Sequence, residues 1–498
     1  MLGSRMGTAA ILLVGLVAAC GPGAASDGEA GAGGAAASDA ESVDAVIDGA
    51  LRALGSRATL QGISAIELHG VRQERLVAAA QDPATPPVFT ATFTEQRDVR
   101  GGRALREFEG RLPMRSLPIA FTQYLDDRLT PGEALEEIRL SPERLVLAAA
   151  TAPGRRLAPD SVTETGRRLH VVAWGDPGLR LLVDAATSLP AGWTGVRRYT
   201  DDPNWATWGD VRTRVAWSNW SLDPAGLRYP FTINVWHDGW RIRTISYTGI
   251  DWDADFPADS FADVSARRER FASQLDPSLG NGSPEFTEHV GGIVQIGGIY
   301  DVTLVRQNDG VVVIEAPHSS AYSRSILEEV ERRWPGVPVK AVVAASFVWP
   351  HVAGVRTYAA RGIPIYASPR TARTIQGMTA APHRLSPDEL SERTGRIEVR
   401  EVADSVRIGN LVVHRAPQPG GEHGRAALIV TFDDVPLAYV SDLYVPEPFE
   451  PNFWRQSLAE ALSALDAVGS RADTILSLHN EPAARDSLRR KVGMRESP

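Results

Sequence analysis

Val342–Ser368 reads VVAASFVWPHVAGVRTYAARGIPIYAS. The apolar run PVKAVVAA leads into it and is a buried strand; IPIYAS at its end is the next strand. Between them the pattern predicts a loop and then a short helix over His351–Arg361, closed by Gly362. The loop carries one lone histidine, His351, directly after Pro350. A proline there is expected to stiffen the loop and keep Trp349 out of helical geometry.

Outward from this unit the rhythm is β-β-β-α-β-α-β. GGIVQIGG, DVTLVRQ and GVVVIEAP precede it as strands separated by turn residues. Ser323–Trp334 reads as a helix with Ile326, Leu327, Val330 and Trp334 on one face, and Ser325 and Glu328 at capping-box spacing. Beyond it come IEVREV, LVVHRAP, RAALIVTF and PLAYVS, then Asp442. A helix follows over Asn452–Val468 with Leu458, Leu462 and Leu465 inward, and then TILSL with His479 at its end. His351, His423, Asp442 and His479 each lie at a strand end or in a loop beside one. Four potential ligands at one rim of a sheet sandwich is how metal or catalytic sites are built.

These segments resemble the metallo-β-lactamase superfamily over about Glu285–Pro482. DGVVVIEAP is similar to its strand pair ending in D-a-P. VVAASFVWPHVAGVRTYAARGIPIYAS is similar to the segment that carries H-x-H-x-D-H ahead of a helix. PGGEHGRAALIVTFDDVPLAYVSDLYVPE is similar to its third-histidine loop and bridging aspartate, and ILSLHNEP to its terminal histidine strand. The resemblance implies an α+β chain: an αββα metallo-β-lactamase sandwich over 285–498, preceded by a mainly antiparallel β domain.

Aligned on Gly354, His351 takes the place of the last motif histidine. Ser346, Val348 and Pro350 stand where the other two histidines and the aspartate belong, while His423, Asp442 and His479 match the later ligands. The resemblance therefore implies one zinc ion at most, held by His351, Asp442 and His479 as a His₂/carboxylate set. His423 and Asp442 are the expected catalytic groups. Val348 and Trp349 are expected to put apolar bulk where an open cleft would be. The implied activity is hydrolysis of an ester, amide or phosphoester by metal-bound water. The alternative is a non-catalytic envelope protein on a retired hydrolase fold. His318, near the same rim, is a candidate replacement ligand.

The 498 residues exceed one ordinary core. Ala40–Ser56 reads as an amphipathic helix, and Ile63–Phe261 alternates as long antiparallel strands. The polar stretch SQLDPSLGNGSP, Ser273–Pro284, marks a boundary and leaves a β-rich domain over 40–272. PFTINVW and IRTISY loosely resemble the open β-barrels of bacterial lipoprotein carriers, which implies an apolar or lipid-like ligand in a concave sheet; a plain β-rich spacer is the competing reading.

Arg5, the short apolar run Ala9–Val17 and VAAC ending at Cys20 resemble a bacterial lipoprotein signal over 1–20. Cys20 is the sole cysteine, so an intramolecular disulfide is excluded, and lipidation there would anchor the chain to a membrane. Gly21 after it points to the periplasmic face of the outer membrane. Residues 21–39 are a Gly/Ala/Ser tether. A net charge of −9 without a basic stripe argues against nucleic acid. No phosphate loop, Rossmann fingerprint or nucleophile elbow is present. A Ser–His–Asp set drawn from Ser346, His351 and Asp442 lacks oxyanion donors in the sequence.

Overall fold

The valines of Gly310–Ile314 show how the second half is layered. Val311 and Val313 join one apolar cluster, with Ile326, Val330, Tyr358 and Ile375 from helices. Val312 and Ile314 join another, with Val413, Leu428 and Val430 from a second sheet. Side chains alternate across a strand, so this strand is buried on both faces. A third cluster packs Ile429, Ala438 and Ile475 of that second sheet against Leu458, Leu462 and Leu465. Three apolar clusters lie between four layers of structure: helix, sheet, sheet, helix.

These relations come from a computed structural model, which describes residues 42–78, 80, 86–111, 118–126, 133–163, 165–175, 178–199, 202, 204–257, 260–261, 279, 284–393, 397–416, 427–445 and 453–493. Cys20, the tether, most of Ser273–Pro284 and His423 lie outside the described residues.

Strands β1–β11 are Ala65–Arg75, Val88–Asp98, Arg103–Arg111, Pro118–Asp126, Arg156–Val162, Arg168–Trp174, Leu179–Asp184, Pro190–Arg197, Val211–Leu222, Arg228–His237 and Trp240–Trp252. Among the described residues they form one antiparallel sheet in the order β4-β3-β2-β1-β11-β10-β9-β8-β7-β6-β5. Its two ends, β4 and β5, are not neighbours in that order, so among the described residues the sheet is open. The alternation in the sequence is what shapes it: Phe89, Ala91 and Phe93 of β2 all point inward. The N-terminal helix is Val43–Leu54, capped by Ser42, whose hydroxyl accepts from Ala45 N at 3.1 Å.

Two features of this half depart from the sequence reading. Helices Glu133–Arg139 and Pro142–Thr151 interrupt the expected run of strands. Leu145, Val146 and Ala149 of the second helix enter the main core, so tertiary burial secures a segment that strand alternation alone did not reveal. The interior is also ionic at one end. Glu95 and Arg97 continue the inward row of β2. Glu95 pairs with Arg97 and Arg106, and Glu137 accepts from Arg72 at 2.9 Å and pairs with Arg106 at 2.8 Å and with Arg243. A cavity of about 30 Å³ is lined by Arg97, Glu137, Trp193, Tyr199, His237 and Arg243 among others. That is space for a few waters.

Strands β12–β18 are Glu285–His289, Ile293–Gly297, Val302–Gln307, Gly310–Ile314, Val339–Ala344, Ile365–Ala367 and Val399–Glu401. They pair in sequence order, antiparallel to β15 and parallel from there on. Strands β19–β24 are Ser405–Ile408, Leu411–Arg415, Leu428–Phe432, Leu437–Tyr439, Thr474–Leu476 and Ala483–Ala484, again in order.

The helix expected over His351–Arg361 is two helices, Trp349–Val352 and Val355–Ala360. The break falls at Gly354, where a Cβ would lie 2.0 Å from Ser323 Oγ and 2.8 Å from Ser319 O; only glycine allows that approach. Trp349 is helical after all. Pro350 stands at the second helical position, where its missing N–H is one the helix could not pair anyway. The helix expected from Ser323 starts earlier, at Ser320, because Ser319 caps it by accepting from Tyr322 N at 3.1 Å; Ser325 and Glu328 are not its capping box.

Trp349 does not fill a cleft at the rim. Its ring meets those of Trp205 at 5.4 Å and Trp208 at 4.5 Å, both from the N-terminal half. Phe347 and Val348 form a small cluster of their own.

Candidate metal centre

The parallel strands β15, β16 and β22–β23 end at one rim, and the candidate residues follow those ends. Glu315 follows β15, Ser346 follows β16, Asp442 sits in the turn Ser441–Leu443 after β22, and His479 lies just beyond β23. His351 reaches the rim from the helix Trp349–Val352. The carboxyl ends of parallel strands are where such folds bind ligands.

His351, Asp442 and His479 each offer a ligand atom, and these atoms lie within 4.8 Å of one another. Asp442 Oδ2 is 2.9 Å from His351 Nδ1, and Oδ1 is 3.0 Å from His479 Nε2. Ser346 also donates its hydroxyl hydrogen to Oδ2. Ser346 Oγ accepts from Val348 N at 3.1 Å and lies 2.9 Å from His351 Nδ1. His351 and Ser346 are 1% exposed and Asp442 4%. His351 Nε2 is buried and has no hydrogen-bond partner among the described residues.

The electrostatics follow from burial. Burial alone would raise the Asp442 carboxyl, but His351 and His479 outweigh it and hold the group well below the usual carboxylate range. Burial lowers His351, against the opposing pull of Asp442. The pair is an ionised carboxylate facing a neutral imidazole. An ionised carboxylate only accepts, so Nδ1 carries the hydrogen in this arrangement.

The donor set fits one ion. Zinc bonds of ~2.0–2.1 Å in tetrahedral geometry place neighbouring donors ~3.3 Å apart, a few tenths of an ångström beyond the separations of 2.9 and 3.0 Å found here. Binding there needs the hydrogens on His351 Nδ1 and His479 Nε2 to move to the other ring nitrogens.

Of the expected site residues, the structure brings together His351, Asp442 and His479, with Ser346 hydrogen-bonded to them. Val348 caps the His351 helix and Pro350 lies in its first turn; neither offers a donor. His423 lies outside the described residues. His318 is not part of the donor group. Its ring packs on Tyr300 and Tyr322 at 4.7 Å each, and burial together with nearby His351 lowers it to about 3. Ser346, His351 and Asp442 do not form a nucleophile relay, since the serine and the aspartate both face Nδ1 whereas a relay uses opposite ring nitrogens.

Two residues carried no role in the sequence reading. Tyr300, 5% exposed, sets its ring 4.6 Å from that of His351 and 5.4 Å from that of His479. Glu315 is fully buried at φ +75, and its Oε1 accepts from Ser441 Oγ at 2.7 Å and Tyr439 Oη at 3.2 Å. Burial raises its carboxyl to about 8, with Asp442 adding to the effect and the Ser441 hydrogen bond opposing it. An acid directly after the apolar run VVVI was the available signal for Glu315.

No protein-family model and no curated protein matches the chain. Among solved structures it is similar to the metallo-β-lactamase DIM-1, at 13% identity and a TM-score of 0.33, over 43% of this chain and 96% of that one. It is also similar to the metallo-β-lactamase FIM-1 from Pseudomonas aeruginosa in its mono-zinc form, at 17% identity and a TM-score of 0.33, over 42% of this chain and 94% of the other. A third similar structure is TMB-1, at 14% identity and a TM-score of 0.33, over 43% and 96%.

Proposed function

We propose that the chain is an envelope-anchored lipoprotein whose C-terminal half holds a single metal ion, zinc by donor type, and hydrolyses an ester, amide or phosphoester. The observation that carries this reading is the convergence of His351, Asp442 and His479, from three separate segments, on one donor set. A bound zinc supplies a water of pKa ~7 and a Lewis acid. The chain's own residues do the rest. Asp442 stays ionised and offers two oxygens, Ser346 and Val348 N–H fix the loop that leads to His351, and Tyr300 covers the imidazoles. His423 retains its assignment as proton shuttle or substrate contact. Cys20 is the lipid anchor, and the membrane is the partner it implies.

The test is hydrolysis of a panel of ester, amide and phosphoester substrates by the purified chain. Turnover that is lost on chelation, restored by zinc and absent in His479→Ala supports the reading. Inactivity across the panel in zinc-loaded protein counts against it.

A second reading has its own support. Asp442 accepts from Ser346, His351 and His479 with both of its oxygens. A carboxylate so satisfied can serve as the structural knot of a non-catalytic envelope protein.

A further inference from the structure

The helix that carries His351 is gripped by a segment of the N-terminal half. Trp205 and Trp208 pack on Trp349, two residues before His351. Between these two tryptophans, Thr207 Oγ1 donates to Ala353 O at 2.9 Å, at the other end of the same helix. Both ends of a four-residue helix are thus held by one short stretch.

That stretch is itself locked onto the C-terminal half. Asp210 N donates to Pro382 O at 2.8 Å, and the Asp210 carboxylate accepts from Arg384 N at 2.9 Å and Leu385 N at 3.0 Å. Gly209, at φ +65, passes so close that a Cβ there would lie 2.3 Å from Pro382 O. A contact that admits no side chain and satisfies both backbone and carboxylate is a fixed joint, unlike the sliding, polar contacts typical between domains. From the other side, His318 N donates to Pro350 O at 2.8 Å and Ala316 N to His351 O at 3.3 Å, and the His351 side chain itself meets Ser346, Asp442 and the Tyr300 ring.

We infer that Trp205, Thr207 and Trp208 are positioning residues for His351, so that the N-terminal half completes the metal centre of the C-terminal half. The inference rests on the assignment of His351 as a ligand. A helix of four residues has almost no stability of its own, and its placement is set by what it packs on. Groups that hydrogen-bond a metal ligand directly commonly change affinity ~10–100-fold, and residues that set the ligand's helix act one step further out, at the low end of that range.

The test uses the full chain with isotope-labelled histidine, and His351→Gln to assign the His351 imidazole signals. Trp205→Ala is expected to displace those signals and leave the signals of His414, on distant β20, in place. Trp205→Phe should restore them. Thr207→Val, which removes one hydroxyl, should displace them in the same sense and keeps the test valid if Trp205→Ala fails to fold. On the same samples, zinc affinity should fall ~10-fold in Trp205→Ala and recover in Trp205→Phe. Unmoved His351 signals in folded Trp205→Ala or Thr207→Val overturn the inference. Displaced signals in a chain that binds no zinc leave the positioning role standing and remove the metal assignment instead.

Discussion

Ser346 donates its hydroxyl to Oδ2 of Asp442, the oxygen that also faces His351 Nδ1 at 2.9 Å. The serine spends its one hydrogen on a carboxylate of the His351, Asp442 and His479 donor group.

Ser346→Ala removes that hydrogen. Loss of a buried hydrogen bond to a charged group should lower stability by about 1.5–3 kcal/mol. Zinc should bind at least as well, because Oδ2 is released. Urea unfolding with and without zinc measures both; weaker zinc binding in a folded variant would show that Ser346 supports the ion.

Glu315 gives the protein a pH-dependent weakness. Its folded carboxyl is raised to about 8 from 4.5, so the folded state keeps a proton that the unfolded chain releases. The stability this supplies is complete below pH 4.5 and is lost as pH rises through 8. The slope is about 1.4 kcal/mol per pH unit across that window. Glu315→Gln keeps the Oε1 acceptor for Ser441 and Tyr439 and should flatten the curve between about pH 5 and 8. Parallel pH curves for parent and variant would refute a proton retained on Glu315 in the folded state.

Acid should act on the site in the opposite sense. The Asp442 carboxyl is depressed, so its contribution is present above the ordinary carboxylate pKa and is lost as pH falls towards the folded value. His351 is buried neutral, so the unfolded chain gains its proton first as pH falls below about 6.5. Because burial lowers the folded His351, zinc affinity measured in the same buffers should hold down to about pH 6.5 and fall only below it, as acid protonates the buried imidazole; an affinity that already falls between about pH 8 and 7 would place the ion elsewhere.

The ionic interior of the N-terminal sheet is a stability element. Glu95 is 1% exposed and pairs with both Arg97 and Arg106. Glu95→Ala leaves two buried guanidiniums short of a partner and should cost about 3–5 kcal/mol. Thermal or urea unfolding checks this, and a loss under 1 kcal/mol would mean that the network relaxes around the gap.

Much of the second half was legible because its signals are local. VVVI and AVVAA are apolar at every position, as strands buried on both faces must be, and the candidate ligands follow strand ends within a few residues. The helices Glu133–Arg139 and Pro142–Thr151 were hidden inside a region whose alternation on both sides is strand-like. Trp349 was misread for a different reason. Its partners Trp205 and Trp208 lie more than a hundred residues earlier, and no local pattern links a tryptophan beside His351 to a joint with the other half. Glu315 and Tyr300 were overlooked because burial, not residue type, gives them their properties.

The most direct measurement is the metal content of the chain from about Ala40 onward, purified without an affinity metal or chelator, beside Asp442→Ala and His479→Ala. Close to one equivalent of zinc is expected in the parent and none in either variant. A parent that stays metal-free after zinc is added, or variants that keep their ion, would contradict the metal assignment.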